Sequence, residues 1–228
     1  MIIKFRPSFL IFIFSVSGLF NLSAQEVYDR YYMNVSSNVF LSDSNLEHQI
    51  DILDLDIDYL NATVFHLTNN ERANAQLPLF DFYHNLYKSA VLHSESMIYY
   101  DYFNHENHMQ KKWRTPSDRI FYFDESYRSL AENILENNLL DYKGTKLTYR
   151  TVINADGTLI YLDRNGNEIK YASYFILAQR LVLQWMNSPG HRANILNENF
   201  TLLGCACAIN QDKVPVLIRC TQNFGRIN

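Results

Sequence analysis

The sequence predicts a mixed α+β domain, and three observations support this class. Apolar residues recur at helical spacing in three segments, over residues 58–76, 81–103 and 174–188. Near the C-terminus, two strand-like runs, LLGCACAI and VPVLIRCTQNF, flank the polar turn NQDK. The 228 residues are 47% hydrophobic and 14% aromatic, which is a globular composition with enough length for one sizeable core.

The first 24 residues, 1–24, are predicted to be a secretory signal peptide. Lys4 and Arg6 give a positive start, an apolar run follows over residues 9–20, and NLSAQ ends the run with small and polar residues. We expect cleavage after Ala24. The alternative is an uncleaved N-terminal anchor, which the shortness of the apolar run disfavours.

Charge narrows the range of partners. Loss of residues 1–24 removes two basic and no acidic side chains, which leaves 18 basic and 24 acidic residues and a net charge of −6. Such a surface does not attract nucleic acid or anionic lipid. The sequence therefore predicts a secreted, periplasmic or cell-envelope protein with no nucleic-acid partner and no transmembrane segment after signal cleavage.

The helical elements follow in chain order. Residues 25–57 are predicted to be an N-terminal extension that leads into the first helix, which Pro78 separates from the second. The loop after the second helix contains a short helix from Ser117, and the following SLAENILENNLL is interpreted as a short helix or turn. The second helix places five residues near one face: Phe82, Leu86, Ala90, His93 and Met97.

Residues 143–171 predict a small antiparallel meander inserted before the third long helix. The runs KLTYRTVI, TLIYLD and NEIKYASY are rich in strand-forming residues, and NADG and RNGN separate them as turns. DRNGN resembles the start of a calcium loop, but Glu168 stands where that loop needs glycine and Tyr174 where it needs glutamate. Turn chemistry is therefore the preferred interpretation.

Three cysteines, Cys205, Cys207 and Cys220, lie on the two C-terminal strands. In a hairpin, Cys220 can face either of the other two, and export would permit a disulfide. The alternative is three buried free thiols that act as small apolar residues. An odd count leaves one thiol unpaired in either case.

The stretch WMNSPGHRANIL places a histidine just after a helix break. Pro189 suits the first position of a new short helix, with Ser188 as its N-cap. His191 then lies in the first turn, where the helix dipole disfavours imidazolium and keeps the ring neutral near pH 7. A neutral imidazole can bind a metal or act as a base. The alternative is a structural histidine that is hydrogen-bonded within the core.

Six stretches in this order resemble the CAP superfamily, which comprises cysteine-rich secretory proteins, antigen 5 and plant pathogenesis-related proteins. They are LTNNERANAQLPLFDFYHNLYKSAVLHSESM, DYFNHENH, LAENI, WMNSPGHRANIL, FTLLGCACAI and TQNFG. The similarity is to the bacterial SCP-like branch and covers residues 58–226 apart from the insertion. It implies a three-layer α-β-α sandwich with a central antiparallel sheet, to which the meander at 143–171 is added.

The resemblance also implies a surface cleft in which two histidines and acidic residues meet. FNH supplies His105, AENI supplies Glu132 and SPGH supplies His191, and we expect Glu132 to pair with a ring nitrogen of His191. Animal and plant members carry a second glutamate where Ser188 stands here, so a two-carboxylate mechanism is weakened. Other matching polar residues are interpreted as framework hydrogen-bonders: Asn69, Arg72 and Gln222.

Two further histidines have structural interpretations. In HENH the histidines are three apart beside a predicted loop, whereas the zinc-protease motif places them four apart on a helix. His108 is therefore interpreted as a loop residue. His93, on the second helix, is interpreted as a core or cleft-wall residue.

Two functions stay open. The favoured one is an extracellular or cell-envelope binding module with no established reaction. Its cleft, or a groove between helices, would hold a ligand from the envelope or the surroundings, such as a lipid or another cell-envelope component. A binding module is favoured because a shared fold does not establish a shared reaction. The other is a hydrolase in which His105 and His191 bind zinc and Glu132 acts as base or orienting group. Two protein ligands are fewer than the usual three of catalytic zinc sites. A nucleophilic Ser188 is a third option, better explained as a helix cap.

The exported protein is expected to begin near Gln25. N-terminal sequencing of secreted material checks this, because a signal peptidase cuts after the small residue Ala24. Secreted protein that still begins at Met1 would contradict the cleavage.

Overall fold

A computed structural model describes residues 27–142, 148–155 and 157–227. The predicted signal peptide and its cleavage site lie outside these residues. The main helices are α1 (Ile57–Asn74), α2 (His84–Tyr99), α3 (Pro116–Phe121), α4 (Tyr174–Met186) and α5 (Pro189–Ile195). Helical segments of three to five residues lie at Asp29–Met33, Ser37–Phe40, Ser44–Glu47 and Lys111–Trp113. The strands are β1 (Asp81–Phe82), β2 (Tyr127–Asn138), β3 (Arg150–Ile153), β4 (Leu159–Leu162), β5 (Glu168–Ile169), β6 (Leu202–Asn210) and β7 (Leu217–Ile227).

The helices and the larger sheet form the predicted three-layer α-β-α sandwich. The sheet has the strand order β1-β6-β7-β2. Helices α1, α4 and α5 pack together on one side, and α2 packs on β6 and β7 from the other side with α3 beside it. Most of the sheet is antiparallel, as predicted, but β1 runs parallel to β6 over two residue pairs.

Close contact between α2 and the sheet depends on Gly204 of β6. A Cβ atom at this position would lie 2.1 Å from the backbone nitrogen of Tyr87 on α2. No other residue type fits there without moving the helix, so the glycine sets the distance between two layers of the sandwich.

Strand β2 differs from the sequence interpretation, which made SLAENILENNLL a short helix or turn. It pairs with β7 from Tyr127 to Asn138. Both Ile134 and Leu135 are buried although they face opposite sides of the sheet, because helices cover both sides. The apolar–polar alternation that marks a half-buried strand is therefore missing from this sequence.

The segment before α1, predicted as an extension, contributes to the main core. Its buried side chains are Tyr31, Phe40, Leu46 and Ile50. It is held to α1 through the buried His66, whose ring nitrogens lie 2.7 Å from the Tyr31 carbonyl oxygen and 3.0 Å from the Ser37 hydroxyl. Burial lowers the pKa of His66 to about 4, so this ring is neutral at physiological pH.

The two C-terminal strands form the predicted hairpin, and its register selects one cysteine pair. Cys207 lies opposite Cys220, and these two residues form a disulfide. Cys205 lies opposite Gln222 and is a buried free thiol. Burial raises the pKa of this thiol, which keeps it protonated and unreactive.

The predicted meander is present as a separate sheet of β3, β4 and β5, with antiparallel pairing throughout. Its buried side chain is Tyr161, which contacts the rings of Tyr149 and Tyr171 rather than the main core. In the DRNGN turn, a carboxylate oxygen of Asp163 accepts hydrogen bonds from the backbone of Asn165 and Asn167, each at 2.8 Å. This is the turn chemistry that the sequence indicated.

Within the described part of the chain, none of the helices combines the length and the apolar character needed to cross a bilayer.

Replacing residues 144–170 with a short Gly/Ser linker should leave the sandwich folded, because Tyr161 packs within the meander. We expect one cooperative urea transition with a free energy of unfolding within about 2 kcal/mol of the parent, since a shorter loop offsets part of the lost burial. Loss of cooperative unfolding would show that the meander belongs to the core.

Candidate functional site

The centre of the candidate site is the carboxylate of Glu132 on β2. Its side chain is only 2% exposed. One oxygen, Oε2, lies 2.7 Å from the Arg119 guanidinium, and the other, Oε1, lies 2.9 Å from Nδ1 of His105. His105 and Glu132, two of the three site residues predicted from the motifs, are therefore in direct contact.

Opposing effects act on the pKa of Glu132. Burial alone would raise it, but the hydrogen bond from His105 and the positive charge of Arg119 outweigh burial, and the net shift is downward. Glu132 is therefore ionised at neutral pH. Because an ionised carboxylate only accepts hydrogen bonds, Nδ1 of His105 carries a proton, and Nε2 is the ring nitrogen left to face a ligand.

Arg119 binds both Glu132, which holds the His105 ring, and the backbone of His105 itself. The guanidinium is fully buried and donates to the carbonyl oxygen of His105 at 2.9 Å. Its other amino group donates to the carbonyl oxygens of Trp113 and Arg114, each at 3.1 Å. The short helix α3 begins with a capping box at Thr115. Arg119 of this helix therefore holds the backbone of the whole loop around His105 in place.

Asn223 on β7 completes the surroundings of Glu132. With its amide oriented to match its neighbours, Nδ2 donates to Oε2 of Glu132 at 3.3 Å. The amide oxygen then accepts from the Ser89 hydroxyl at 3.2 Å and from the Ala90 backbone at 3.1 Å. The amide therefore joins the carboxylate to α2.

His191 is held by the neighbour of Glu132 rather than by Glu132 itself. Asn133 donates to the His191 carbonyl oxygen at 3.1 Å and accepts from the Asn194 amide at 2.8 Å, so two contacts anchor α5. Successive residues of a strand point to opposite faces of the sheet. Glu132 therefore faces the layer of α2 and α3, which explains why its hydrogen bond goes to His105 and not, as expected, to His191.

The imidazole of His191 is half-buried in the first turn of α5, as the sequence predicted. Its pKa is lowered, first by burial and then by the charge of His105, so the neutral form predominates at pH 7. Adjacent residues of β2 thus contact the ring of His105 and the backbone of His191. Ser188 occupies the N-cap position, but its side chain makes no capping hydrogen bond.

His93 belongs to the cluster, as a buried wall residue. Its ring is fully buried, with Nε2 3.7 Å from Oε1 of Glu132 and Nδ1 3.4 Å from the Tyr102 hydroxyl. Burial lowers the pKa of His93 to about 4, which makes it neutral at physiological pH. Sequence reasoning placed His93 in the core or at the cleft wall but missed Arg119, because the six-residue helix α3 is too short to show a periodic pattern.

The remaining motif residues have the structural roles that were predicted. Asn69 bonds both backbone groups of Phe80, and Gln222 connects Asn133 to Thr68. Arg72 donates to four backbone carbonyl groups, those of Pro78, Ile195, Asn197 and Phe200. His108 is exposed in a loop beside Glu106.

Among the motif residues, the nitrogen atoms available to a metal are Nε2 of His105 and the ring nitrogens of His191. A carboxylate on the second nitrogen of a metal-binding histidine is a common orienting arrangement, and Glu132 provides it for His105. Among the described residues, no group of three or more His, Cys, Asp or Glu side chains is arranged to hold a metal ion. Water or a bound molecule would have to supply the remaining donors.

Comparison with known proteins identifies the family. The family model described as "CAP: Cysteine-rich secretory protein family" matches residues 65–224. The chain belongs to this family, and the bacterial SCP-like resemblance is confirmed.

Bacterial proteins are among its relatives. "Uncharacterized protein YkwD" of Bacillus subtilis (strain 168) is 30% identical over 141 residues, which cover 62% of this chain but only 39% of that relative. An outer surface protein from Borrelia burgdorferi shares the fold, with a TM-score of 0.52 and 16% identity over 80% of this chain and 99% of its own. An extracellular SCP-domain protein from Bacillus anthracis str. Ames is 26% identical, with a TM-score of 0.48 over 73% and 40% of the two chains.

Replacing Arg119 with methionine tests the buried ion pair. Removing one partner leaves an uncompensated buried charge, so the free energy of unfolding at pH 7 should fall by about 3–5 kcal/mol in urea denaturation. Glu132 would then take up a proton more readily when folded, so the difference in stability between parent and variant should become smaller on acidification from pH 7.

Two variants serve as controls for this measurement. Arg114→Met removes an exposed pair with Glu106 and should cost less than about 1 kcal/mol. Adding Glu132→Gln to Arg119→Met removes the buried charge and should recover part of the loss. A loss in Arg119→Met no larger than that in Arg114→Met would contradict an ionised Glu132.

Proposed function

We propose that this protein is an exported CAP-domain binding module that holds a cell-envelope component in the cleft between His105 and His191. The predicted signal peptide supports export. The disulfide between Cys207 and Cys220 is consistent with it, because such bonds persist in oxidising compartments outside the cytoplasm. The same location suits a ligand from the envelope or the surrounding medium.

The observation that carries the proposal is the way His105 is held. Its ring is 46% exposed, while the carboxylate that fixes it is almost completely buried. A buried charge is costly, and the fold supports it with Arg119 and Asn223. The result is an accessible imidazole with a fixed orientation and a free Nε2 acceptor, which is what a selective binding site requires.

His191 supplies a second imidazole, from the opposite layer of the sandwich, and its lowered pKa favours the neutral form. A neutral imidazole can accept a hydrogen bond from a hydroxyl or amide group of a ligand. The space beside Gly190 is open, since a Cβ atom there would contact nothing within 4 Å. A polar group of a ligand can therefore approach His191 along α5.

A zinc-assisted hydrolase is the second candidate, and the contact between Glu132 and His105 favours it. When bound, zinc would supply Lewis-acid chemistry and an activated water. His105 and His191 would hold the metal, and Glu132 would keep the proton on Nδ1 of His105. Because Arg119 occupies the other oxygen of Glu132, this carboxylate orients the ligand and is poorly placed to take a proton from water.

Binding to isolated bacterial cell-wall sacculi and to vesicles of bacterial phospholipid tests the proposal. We expect His105→Ala and His191→Ala each to reduce co-sedimentation at least about tenfold, which corresponds to about 1.4 kcal/mol. The free energy of unfolding should change by less than about 1 kcal/mol in His191→Ala, because a partly exposed residue supports little packing. His105→Ala also removes a donor to the buried Glu132 carboxylate and should cost about 1–3 kcal/mol.

His108→Ala is the matched control, since it removes an exposed histidine from the same loop and should bind like the parent protein. Zinc titration of the same variants separates the candidates. Stoichiometric zinc binding that both cleft substitutions abolish would favour the hydrolase. Equal binding of the parent and both cleft variants to sacculi and vesicles would overturn the proposed cleft.

A further inference from the structure

A second concave surface lies away from the histidine cleft. It consists of two adjoining compartments, of about 540 and 1080 Å³, between the chain that leads into α1, helix α2 and the outer edge of β6. The compartments share five lining residues: Asp58, Tyr87, Val91, Leu92 and Glu95. We call this surface the α2 groove. His105, Glu132 and His191 line neither compartment.

The walls of the α2 groove are largely apolar. The larger compartment is lined by aliphatic and aromatic side chains from three separate segments, among them Ile52, Leu55, Ile57, Leu92, Ile98 and Trp113. Leu53, at the mouth, is 86% exposed. Apolar surface of this extent inside a concavity of several hundred cubic ångströms is typical of a ligand site.

Two carboxylates interrupt this apolar surface where the compartments meet. Asp58 accepts a hydrogen bond from the Tyr87 hydroxyl at 2.7 Å. Among the described residues, neither Asp58 nor Glu95 has a cationic side chain within ion-pair distance. Asp58, Tyr87 and Glu95 line both compartments. Burial raises the pKa of the Tyr87 hydroxyl, and the negative charges of Asp58 and then Glu95 raise it further.

Glu95 has the environment of a group that lacks a counterion. Its side chain reaches solvent at the rim, yet the surrounding protein removes part of its hydration and raises the pKa of its carboxyl group. Lys88, the lysine of the smaller compartment, lies near the Asn85 amide oxygen and the Phe123 ring. The charged side chains lining the larger compartment are Asp58 and Glu95, so its potential is negative.

We propose that the α2 groove binds a single-chain amphipathic cation, a primary amine on an alkyl chain. The ammonium group lies between Asp58 and Glu95, where its three N–H donors meet two carboxylates and the Tyr87 hydroxyl. The alkyl chain lies along the apolar wall of the larger compartment. An alkyl carboxylate has the same chain but would place a negative charge beside Asp58 and Glu95. The site therefore distinguishes ligands by the charge of the head group, while burial of the alkyl chain contributes affinity.

Isothermal titration of the purified protein with octylamine and decylamine, each below its micellar concentration, tests this site. Burial of each added methylene should strengthen binding by about fourfold. Decanoate has a matched chain and the opposite charge, and it should bind at least about tenfold more weakly than decylamine. Equal affinities for decylamine and decanoate, or no binding of either amine, would overturn the proposal.

Charge-neutral variants locate the head group. Glu95→Gln should weaken decylamine binding at least about fivefold, and addition of Asp58→Asn should weaken it further. Asp54→Asn is the matched control, because it removes an exposed carboxylate on the same segment outside the groove lining and should change the affinity less than about twofold. An effect of Asp54→Asn as large as that of Glu95→Gln would show that only the general surface charge matters.

The site is independent of the proposed function of the histidine cleft. A His105→Ala/His191→Ala double variant should bind decylamine with unchanged affinity, whether or not the cleft binds an envelope component. Loss of amine binding in this variant would place the amine in the histidine cleft and overturn the assignment to the α2 groove. Asp58→Asn weakens the acceptor of the Tyr87 hydroxyl and so removes some stability. If the variant that contains Asp58→Asn does not fold, the affinity of Glu95→Gln for decylamine decides the result.

Discussion

The candidate site depends on one costly interaction, the burial of the ionised Glu132 carboxylate inside the sandwich. An ion of this size is tolerated away from water only when its charge and its lone pairs are matched. Arg119 matches the charge, and His105 and Asn223 supply further donors. The same arginine orders the loop that carries His105. Disturbing this carboxylate therefore affects the ring, the loop and the short helix α3 together.

The position of β2 explains how two distant histidines come to one region. It is the outermost strand of the larger sheet, and its adjacent residues Glu132 and Asn133 point to opposite layers. One holds the ring of His105, and the other holds the backbone of His191. A dipeptide on an edge strand thus connects both helical layers.

The chemistry of the candidate site follows from which groups are free and which are occupied. Both oxygens of the Glu132 carboxylate are engaged, and Ser188 adds no carboxylate of its own. Glu132 is therefore poorly placed to take a proton from a substrate, whereas the imidazoles of His105 and His191 stay partly exposed. Proton transfer or metal chemistry would depend on these two rings. The α2 groove is a second and chemically different surface, apolar and negatively charged.

Local signals in the sequence determined much of the architecture. Helical periodicity predicted α1, α2 and α4, Pro189 predicted α5, and turn residues predicted the C-terminal hairpin and the inserted meander. These signals act between residues a few positions apart, so they can be read without knowledge of the fold. The motifs around His105, Glu132 and His191 supplied candidate residues but not their contacts.

Tertiary structure decided the features that depend on distant parts of the chain. Pairing with β7 made SLAENILENNLL a strand, because two helical layers cover both of its faces and erase the alternation. The hairpin register chose Cys207 over Cys205 as the partner of Cys220. The partner of Glu132 was likewise chosen by strand orientation, which directs its side chain to His105 and Arg119. A buried charge and a strand register are satisfied only by the assembled fold, so no local pattern specifies them.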